Sequence, residues 1–239
     1  ENNMFNGKME DLILFEDKDL IVCQKPAGIA VQSAGIGSMD LESYLKNYLS
    51  GKNGRALPYL AVIHRLDQPV EGVLVFGKNP SAAKNLSRQI TEGKMEKIYL
   101  AVTYGKPFAK EGILEDFLKK DGRTNTSAVV QKGTPGSKKA RLTFRVLEEC
   151  TDPVTKKQKW LLCIHLDTGR HHQIRVQMAN GGMALAGDRK YGGEEILQKG
   201  TLGLCAYSLT FSHPSSKRLM KYETMPKSPV FDGFSGLKR

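Results

Sequence analysis

The sequence predicts an α+β fold in which a mixed, mainly antiparallel sheet is flanked by a few helices. Three observations lead there. Eight short segments carry the apolar alternation or apolar runs of strands. Only three segments carry helical spacing. The two kinds do not alternate regularly, which disfavours a doubly wound parallel sheet with crossover helices.

In chain order, residues 13–15 and 20–23 read as the first strands. A helix then starts with Asp40 as N-cap, because Leu41, Tyr44, Leu45, Tyr48 and Leu49 recur at three and four residues and Gly51 offers a stop. Strands follow at 60–63 and 73–76. A second helix runs from about Pro80, with Ala83, Leu86 and Ile90 as its apolar stripe; Pro80 suits the first turn and Gly93 the end. Strands at 98–102, 142–146 and 160–166 come next, then a short helix from about His172 to Asn180 closed by Gly181-Gly182, and a strand at 204–211. The most loop-like stretches are 32–38, 119–127, 132–139 and 194–200. No repeat or low-complexity linker divides the chain, so residues 1–239 are expected to form one domain with a core of about 11–216.

With 40% hydrophobic residues, the 239-residue chain can bury a sizeable core. Lysine and arginine number 36 against 25 acidic residues, a formal charge of +11 that favours a polyanionic partner, nucleic acid first, over a merely solvated surface. The four cysteines have no paired spacing, which suits a reducing compartment, the cytoplasm, and argues against a cysteine-rich zinc module. No apolar run approaches membrane-spanning length, and the start, which is not Met, shows no signal-peptide pattern. Walker and dinucleotide fingerprints are missing, so no nucleotide cofactor is expected.

Three segments carry candidate chemistry. The first is the polar loop Ile63-His64-Arg65-Leu66-Asp67-Gln68-Pro69-Val70-Glu71-Gly72, mounted between two apolar strands. By itself Asp67 is equally a turn-capping residue beside a solvated His64-Arg65 pair. The second is Leu166-Asp167-Thr168-Gly169-Arg170-His171-His172-Gln173-Ile174-Arg175, where a strand turns into a helix whose N-terminus gathers positive charge for a phosphate or carboxylate. Its plainer alternatives are an Arg175 paired with a structural carboxylate and histidines at the surface; a zinc set of Cys163, His165 and His171 is poorly defined. The third is Lys97-Ile98-Tyr99, in which Tyr99 faces away from Ile98, Leu100 and Val102, so that it need not belong to the core. Lys94, Lys97, Lys106, Lys119, Lys120, Arg123, Lys132, Lys138 and Lys139 are, as a group, candidates for contacts to a nucleic-acid backbone.

In their order these segments resemble the RluA-type RNA pseudouridine synthases over nearly the whole chain. Leu20–Lys25 followed by Pro26-Ala27-Gly28 is similar to the family's strand and Lys-Pro-x-Gly, and His64-Arg65-Leu66-Asp67 to its catalytic loop. Lys97-Ile98-Tyr99 resembles Lys-x-Tyr, and Thr168 to Arg175 resembles Thr-Gly-Arg-x-His-Gln-Ile-Arg; Gly187-Asp188-x-x-Tyr191-Gly192 and Phe211-x-His213-Pro214 complete the series. The resemblance implies a pseudouridine synthase fold and isomerisation of uridine in structured ribosomal or transfer RNA. No cofactor or metal is implied, and a monomer is expected. It implies Asp67 as the essential carboxylate, Tyr99 against the uracil and Arg175 as the aspartate's partner. His64 and Arg170 fall to substrate binding, Arg65 enters the stack in place of the flipped base, and Leu204 packs near the uracil.

Two departures stand out. Val70-Glu71 replaces the usual Thr-Ser before Gly72, and Cys205 stands where His is common. The stretch before the first motif at Leu20 is too short for an S4 RNA-binding domain, so none is expected. The altered Val70-Glu71 also motivates two competing expectations: an RNA-binding protein of the same fold that lacks catalysis, and a glycoside hydrolase using Asp67 with Glu71, whose four-residue offset does not guarantee the carboxyl separation that reaction needs.

Overall fold

The computed structural model describes residues 8–33, 39–53, 58–152, 155–192 and 202–237. Among them the strands are β1 (Ile13–Glu16), β2 (Leu20–Lys25), β3 (Ala61–Val62), β4 (Glu71–Gly77), β5 (Glu96–Thr103), β6 (Glu111–Asp121), β7 (Thr126–Val130), β8 (Lys138–Thr151), β9 (Gln158–Leu166), β10 (Leu204–Ser212) and β11 (Leu219–Glu223). The helices are α1 (Leu41–Asn53), α2 (Pro80–Thr91) and α3 (Gln173–Asn180), with short 3₁₀ turns besides. The α+β class holds, and the pairings β1–β2, β2–β4, β3–β4, β5–β9, β6–β7, β6–β8, β8–β9 and β10–β11 are antiparallel. The chain divides into two compact units, residues 1–96 with 206–224, and residues 97–205 with 225–239.

In the first unit the strand order is β1-β2-β4-β10, with β3 on β4 and β11 on β10. Leu20 and Val22 of β2, Val73 and Val75 of β4, and Leu209 and Phe211 of β10 pack with Leu86 and Met95, while Ile90 of α2 covers them from the side. The ends of α2 obey its sequence signals. The Asn79 side chain accepts from the Ala82 N–H at 2.8 Å, Pro80 occupies the first turn, and Gly93 takes φ +67°. Asp40 caps α1, accepting from the Ser43 N–H at 2.8 Å, yet the helix runs past Gly51 to Asn53, two residues beyond the expected stop.

The Phe-x-His-Pro segment is a fastener of this unit. His213 Nδ1 accepts the N–H groups of Ser215 and Ser216, which leaves Nε2–H to donate to Asp17 at 2.8 Å. Ser215 in turn donates to Asp19 at 2.6 Å. The turn between β1 and β2 is thereby tied to the one between β10 and β11.

In the second unit the order is β5-β9-β8-β6-β7. Leu118, Ala140 and Val176 form a buried cluster beneath α3. Lys159, fully buried on β9, donates to the carbonyls of Val230 at 3.1 Å and Asp232 at 2.7 Å, lies 3.2 Å from the Asp152 carboxylate, and faces the Phe234 ring. One ammonium thus anchors the C-terminal segment.

Three strands go unannounced by the sequence pattern. The expected loop at 119–127 is instead the end of β6, a turn with Asn125 at φ +50°, and the start of β7. Strand β6 exposes most of its side chains, as does β11, so neither offers clear apolar alternation; their backbones are held by ladders to β8 and β10. Between β7 and β8 the loop reading of 132–139 holds up to β8's first residue, Lys138. Of the other two loop readings, 194–200 lies wholly, and 34–38 of the first, outside the described residues.

Candidate active site

In the first unit the register of β2 with β4 places Lys25 opposite Gly72, so the Lys-Pro-x-Gly segment and the Asp67 loop meet at one end of the strands. Lys25 is fully buried. Its three ammonium donors go to three carbonyls: Ile29 at 2.7 Å, Pro26 at 2.9 Å and Gln68 at 3.0 Å. Burial pushes the Lys25 ammonium down to about 7, while the charges of Asp67 and Glu71 pull it the other way. The Gly28 N–H also donates to the Gln68 carbonyl at 2.8 Å, and the Gln68 side chain returns a bond to the Gly28 carbonyl at 3.0 Å.

The loop's own ends are held as well. The Val70 N–H donates to the Asp67 carbonyl at 3.0 Å, and the Val75 N–H donates to His64 Nε2 at 3.3 Å, which makes His64 a brace of the loop. Gly72 sits at φ +131°, where an added Cβ would fall 2.3 Å from the Ala206 carbonyl oxygen; no other residue fits there without moving β10. Val70 and Glu71 are both buried, Glu71 as the first residue of β4, where its charge acts on Lys25. Asp67 remains half-buried and Arg65 exposed. Hydrogen bonds hold the loop at both ends, while Asp67 keeps partial exposure and Arg65 is exposed.

Lys25, which the sequence marks only as part of a motif, therefore shapes the loop. Lys25→Met is expected to cost about 2 kcal/mol by stranding those carbonyls. It should also raise amide exchange at Gly28 and Val70, measured by hydrogen–deuterium exchange; parent-like protection there would show that Lys25 does not hold the loop.

In the second unit the Thr168–Arg175 segment folds differently from its reading as a cationic helix end. Gln173 organises the turn: its Oε1 accepts from Thr168 Oγ1 at 2.7 Å and from the Arg170 N–H at 3.0 Å, and its Nε2 donates to Gln177 and to the Arg141 carbonyl. His172, at φ +52°, starts α3 with its ring buried and Nδ1 2.8 Å from the Tyr191 hydroxyl. His171 stacks on it at 3.8 Å and contacts Ser127 and Asn125. His172 is thus buried, while His171 stays partly exposed. His165 pairs with Asp167; the zinc set through Cys163 is not assembled.

Arg175 is buried and bound to Asp188 by two bonds, Nε to Oδ2 at 2.8 Å and Nη2 to Oδ1 at 2.7 Å, with the Tyr191 ring 5.3 Å beneath its guanidinium. Its charge is matched locally rather than added to a helix end. Asp188 also accepts the N–H groups of Lys190 and Tyr191, so the Gly-Asp-x-x-Tyr-Gly motif is a cradle for this arginine. The motif pointed to Asp188 and Tyr191 without revealing that they hold Arg175.

Tyr99 is buried in β5, whose residues from Tyr99 to Thr103 are covered on both faces. Alternation left open whether Tyr99 belongs to the core; it is packed there because β5 is flanked rather than open to solvent on one face. Leu204 is buried, and the preceding Gly203 is pinned by the Val102 N–H, which donates to its carbonyl at 2.9 Å, and by its own N–H donating to Ala186 at 2.8 Å. Arg170 is exposed, its Nε donating to the Lys139 carbonyl at 2.9 Å.

A family model described as RNA pseudouridylate synthase matches residues 19–180. The chain is 34% identical to the ribosomal large subunit pseudouridine synthase D of Nitrosomonas europaea, over 94% of this chain and 63% of that protein, so it spans less than two thirds of that relative. It is 30% identical to an uncharacterized RNA pseudouridine synthase of Zymomonas mobilis, over 93% of this chain and 97% of the other. Among solved structures, human RNA pseudouridylate synthase domain containing 1 shares the fold with a TM-score of 0.74 at 22% identity, covering 92% of this chain and 86% of that one.

Proposed function

Since the chain belongs to the RNA pseudouridylate synthase family, we propose that it isomerises uridine to pseudouridine in structured RNA, ribosomal RNA before transfer RNA, with Asp67 as the essential carboxylate. The carrying observation is the Asp67 loop itself, braced by Lys25, Gly28 and His64 while its carboxylate stays accessible. The family model runs through residues of both compact units, which supports reading about 11–216 as one catalytic domain.

The chemistry breaks the N1–C1′ bond, turns the uracil and forms C5–C1′; atoms and electrons balance within the nucleotide, so the reaction itself calls for no cofactor. Asp67 acts either as nucleophile or as the base that takes the C2′ proton. Both require it ionised. Arg175 is assigned to favour that state: a guanidinium has two edges suited to carboxylates, and Asp188 binds the Nε/Nη2 edge. A uracil within a stem must leave the stack, and the exposed Arg65 suits the space it vacates. Tyr99 and Leu204 are assigned to the faces of the extruded base, with Arg170 and His64 nearby on the substrate side.

Ribosomal RNA as substrate implies work in the cytoplasm and, with a bulky partner to admit, a monomer. Among the described residues no helix is long and apolar enough to cross a membrane. The test is incubation of the protein with in vitro-transcribed large-subunit ribosomal RNA and with unmodified transfer RNA, followed by pseudouridine mapping. New pseudouridine in the ribosomal transcript is expected. Binding with no new site in either RNA would overturn the reading in favour of a non-catalytic binder, and released free uracil would favour glycoside cleavage.

A further inference from the structure

At the start of β5, Lys97 stands beside the Thr168-Gly169-Arg170 turn, in the same compact unit. Its Nζ lies 3.3 Å from where a Cβ on Gly169 would be, so glycine is what leaves this ammonium room. Lys97 is half-buried, yet among the described residues no acceptor or carboxylate partners its Nζ. Arg170 is similar: among the described residues its side chain bonds to a backbone carbonyl and pairs with no carboxylate.

The neighbouring cations make the contrast. Lys139 pairs with Glu115, Arg141 with Asp167, and His165 with Asp167. Those three cations are matched by carboxylates inside the protein, while among the described residues Lys97 and Arg170 are not. Burial first, and then the charge of Arg170, push the Lys97 ammonium below its ordinary value, so an anion placed between the two cations would favour the charged form.

We propose that Lys97, Gly169 and Arg170 form a binding site for a backbone phosphate of the substrate RNA, next to the nucleotide that reacts. The inference rests on the functional reading above, and it singles out one lysine from a basic surface. The strand geometry supplies the location. Lys97 and Tyr99 alternate onto the same face of β5 about 7 Å apart along the strand, comparable to the reach from a base to its own phosphate. Arg170 can grip two phosphate oxygens with its fork while Lys97 acts as a point charge. The phosphate contact fixes register and carries no sequence information.

Lys97→Met tests this in the full chain, with in vitro-transcribed large-subunit ribosomal RNA as the probe and Kd followed from about 50 to about 200 mM KCl. Kd should rise roughly five- to tenfold, the slope of log K against log salt should shrink by about one, and the single-turnover rate at saturating RNA should hold. Lys97→Arg should rescue binding. The thermal midpoint of Lys97→Met should equal or exceed the parent's, because an unpaired half-buried charge has gone; a structural lysine would lower it. Lys221→Met removes the same charge from an exposed pair with Glu223 and should leave Kd and slope unchanged.

An unchanged Kd and slope for Lys97→Met, or an equal effect from Lys221→Met, would overturn the site. Loss of inorganic-phosphate stabilisation with RNA affinity intact would reassign it to a free anion and overturn the RNA contact. A parent protein that binds RNA and makes no pseudouridine is a separate result, which sinks the functional reading instead.

Discussion

Asp67→Asn is expected to fold as the parent does and to lose pseudouridine formation by at least ~10³-fold, the scale of a positioned carboxylate acting as base or nucleophile. The amide keeps the shape of the side chain and removes the charge that either route needs. The backbone bonds of the loop do not run through that carboxylate: the Val70 N–H is held by the Asp67 carbonyl, and Lys25 binds the carbonyls of Pro26, Ile29 and Gln68. Circular dichroism and the thermal midpoint therefore check the fold, and pseudouridine yield in single turnover checks the chemistry. Retention of more than about 1% of parent activity would remove Asp67 from its assigned role.

The second large effect belongs to Asp188→Asn. The Asp188 side chain is fully buried, the Arg175 side chain nearly so, and together they share two hydrogen bonds. Removing the negative charge takes the charged acceptor of two hydrogen bonds from a buried guanidinium, at a cost of about 3–5 kcal/mol, a large part of a domain's usual 5–15 kcal/mol. Urea denaturation measures it. Replacing both partners, Arg175→Met with Asp188→Leu, should recover most of the loss, since an apolar pair of similar volume commonly replaces a buried ion pair without penalty. Activity should stay absent in that double variant if Arg175 serves the aspartate, and should return if the pair is only structural. A loss below about 1 kcal/mol in Asp188→Asn would show that the pair does not hold this cradle.

Much of the framework was legible locally. The Asn79-Pro80 start and Gly93 end of α2 follow from capping and left-handed backbone preferences that involve only near neighbours. Strands β2, β4 and β9 are apolar enough to declare themselves, and the polar loop between β3 and β4 stood out by contrast. Strands β6, β7 and β11 did not, because ladder hydrogen bonds hold them while many of their side chains face water. The burial of Tyr99 stayed open for a related reason: alternation says which face a residue shares, and what covers that face is decided elsewhere in the chain.

The sequence by itself determined the ordered motifs, the family they resemble, the loop that carries Asp67 and the caps that delimit the helices. Only the tertiary structure decided the partners. His213 closes on Asp17 across 196 residues, Lys25 reaches Gln68 across 43, and Arg175 finds Asp188 rather than leaving its charge at a helix end. The physical reason is that capping and periodicity act within a few residues, whereas a buried charge must be satisfied by whatever the strand register brings beside it. Lys97 is the exception that register leaves unsatisfied among the described residues, and that is why an RNA phosphate is proposed for it.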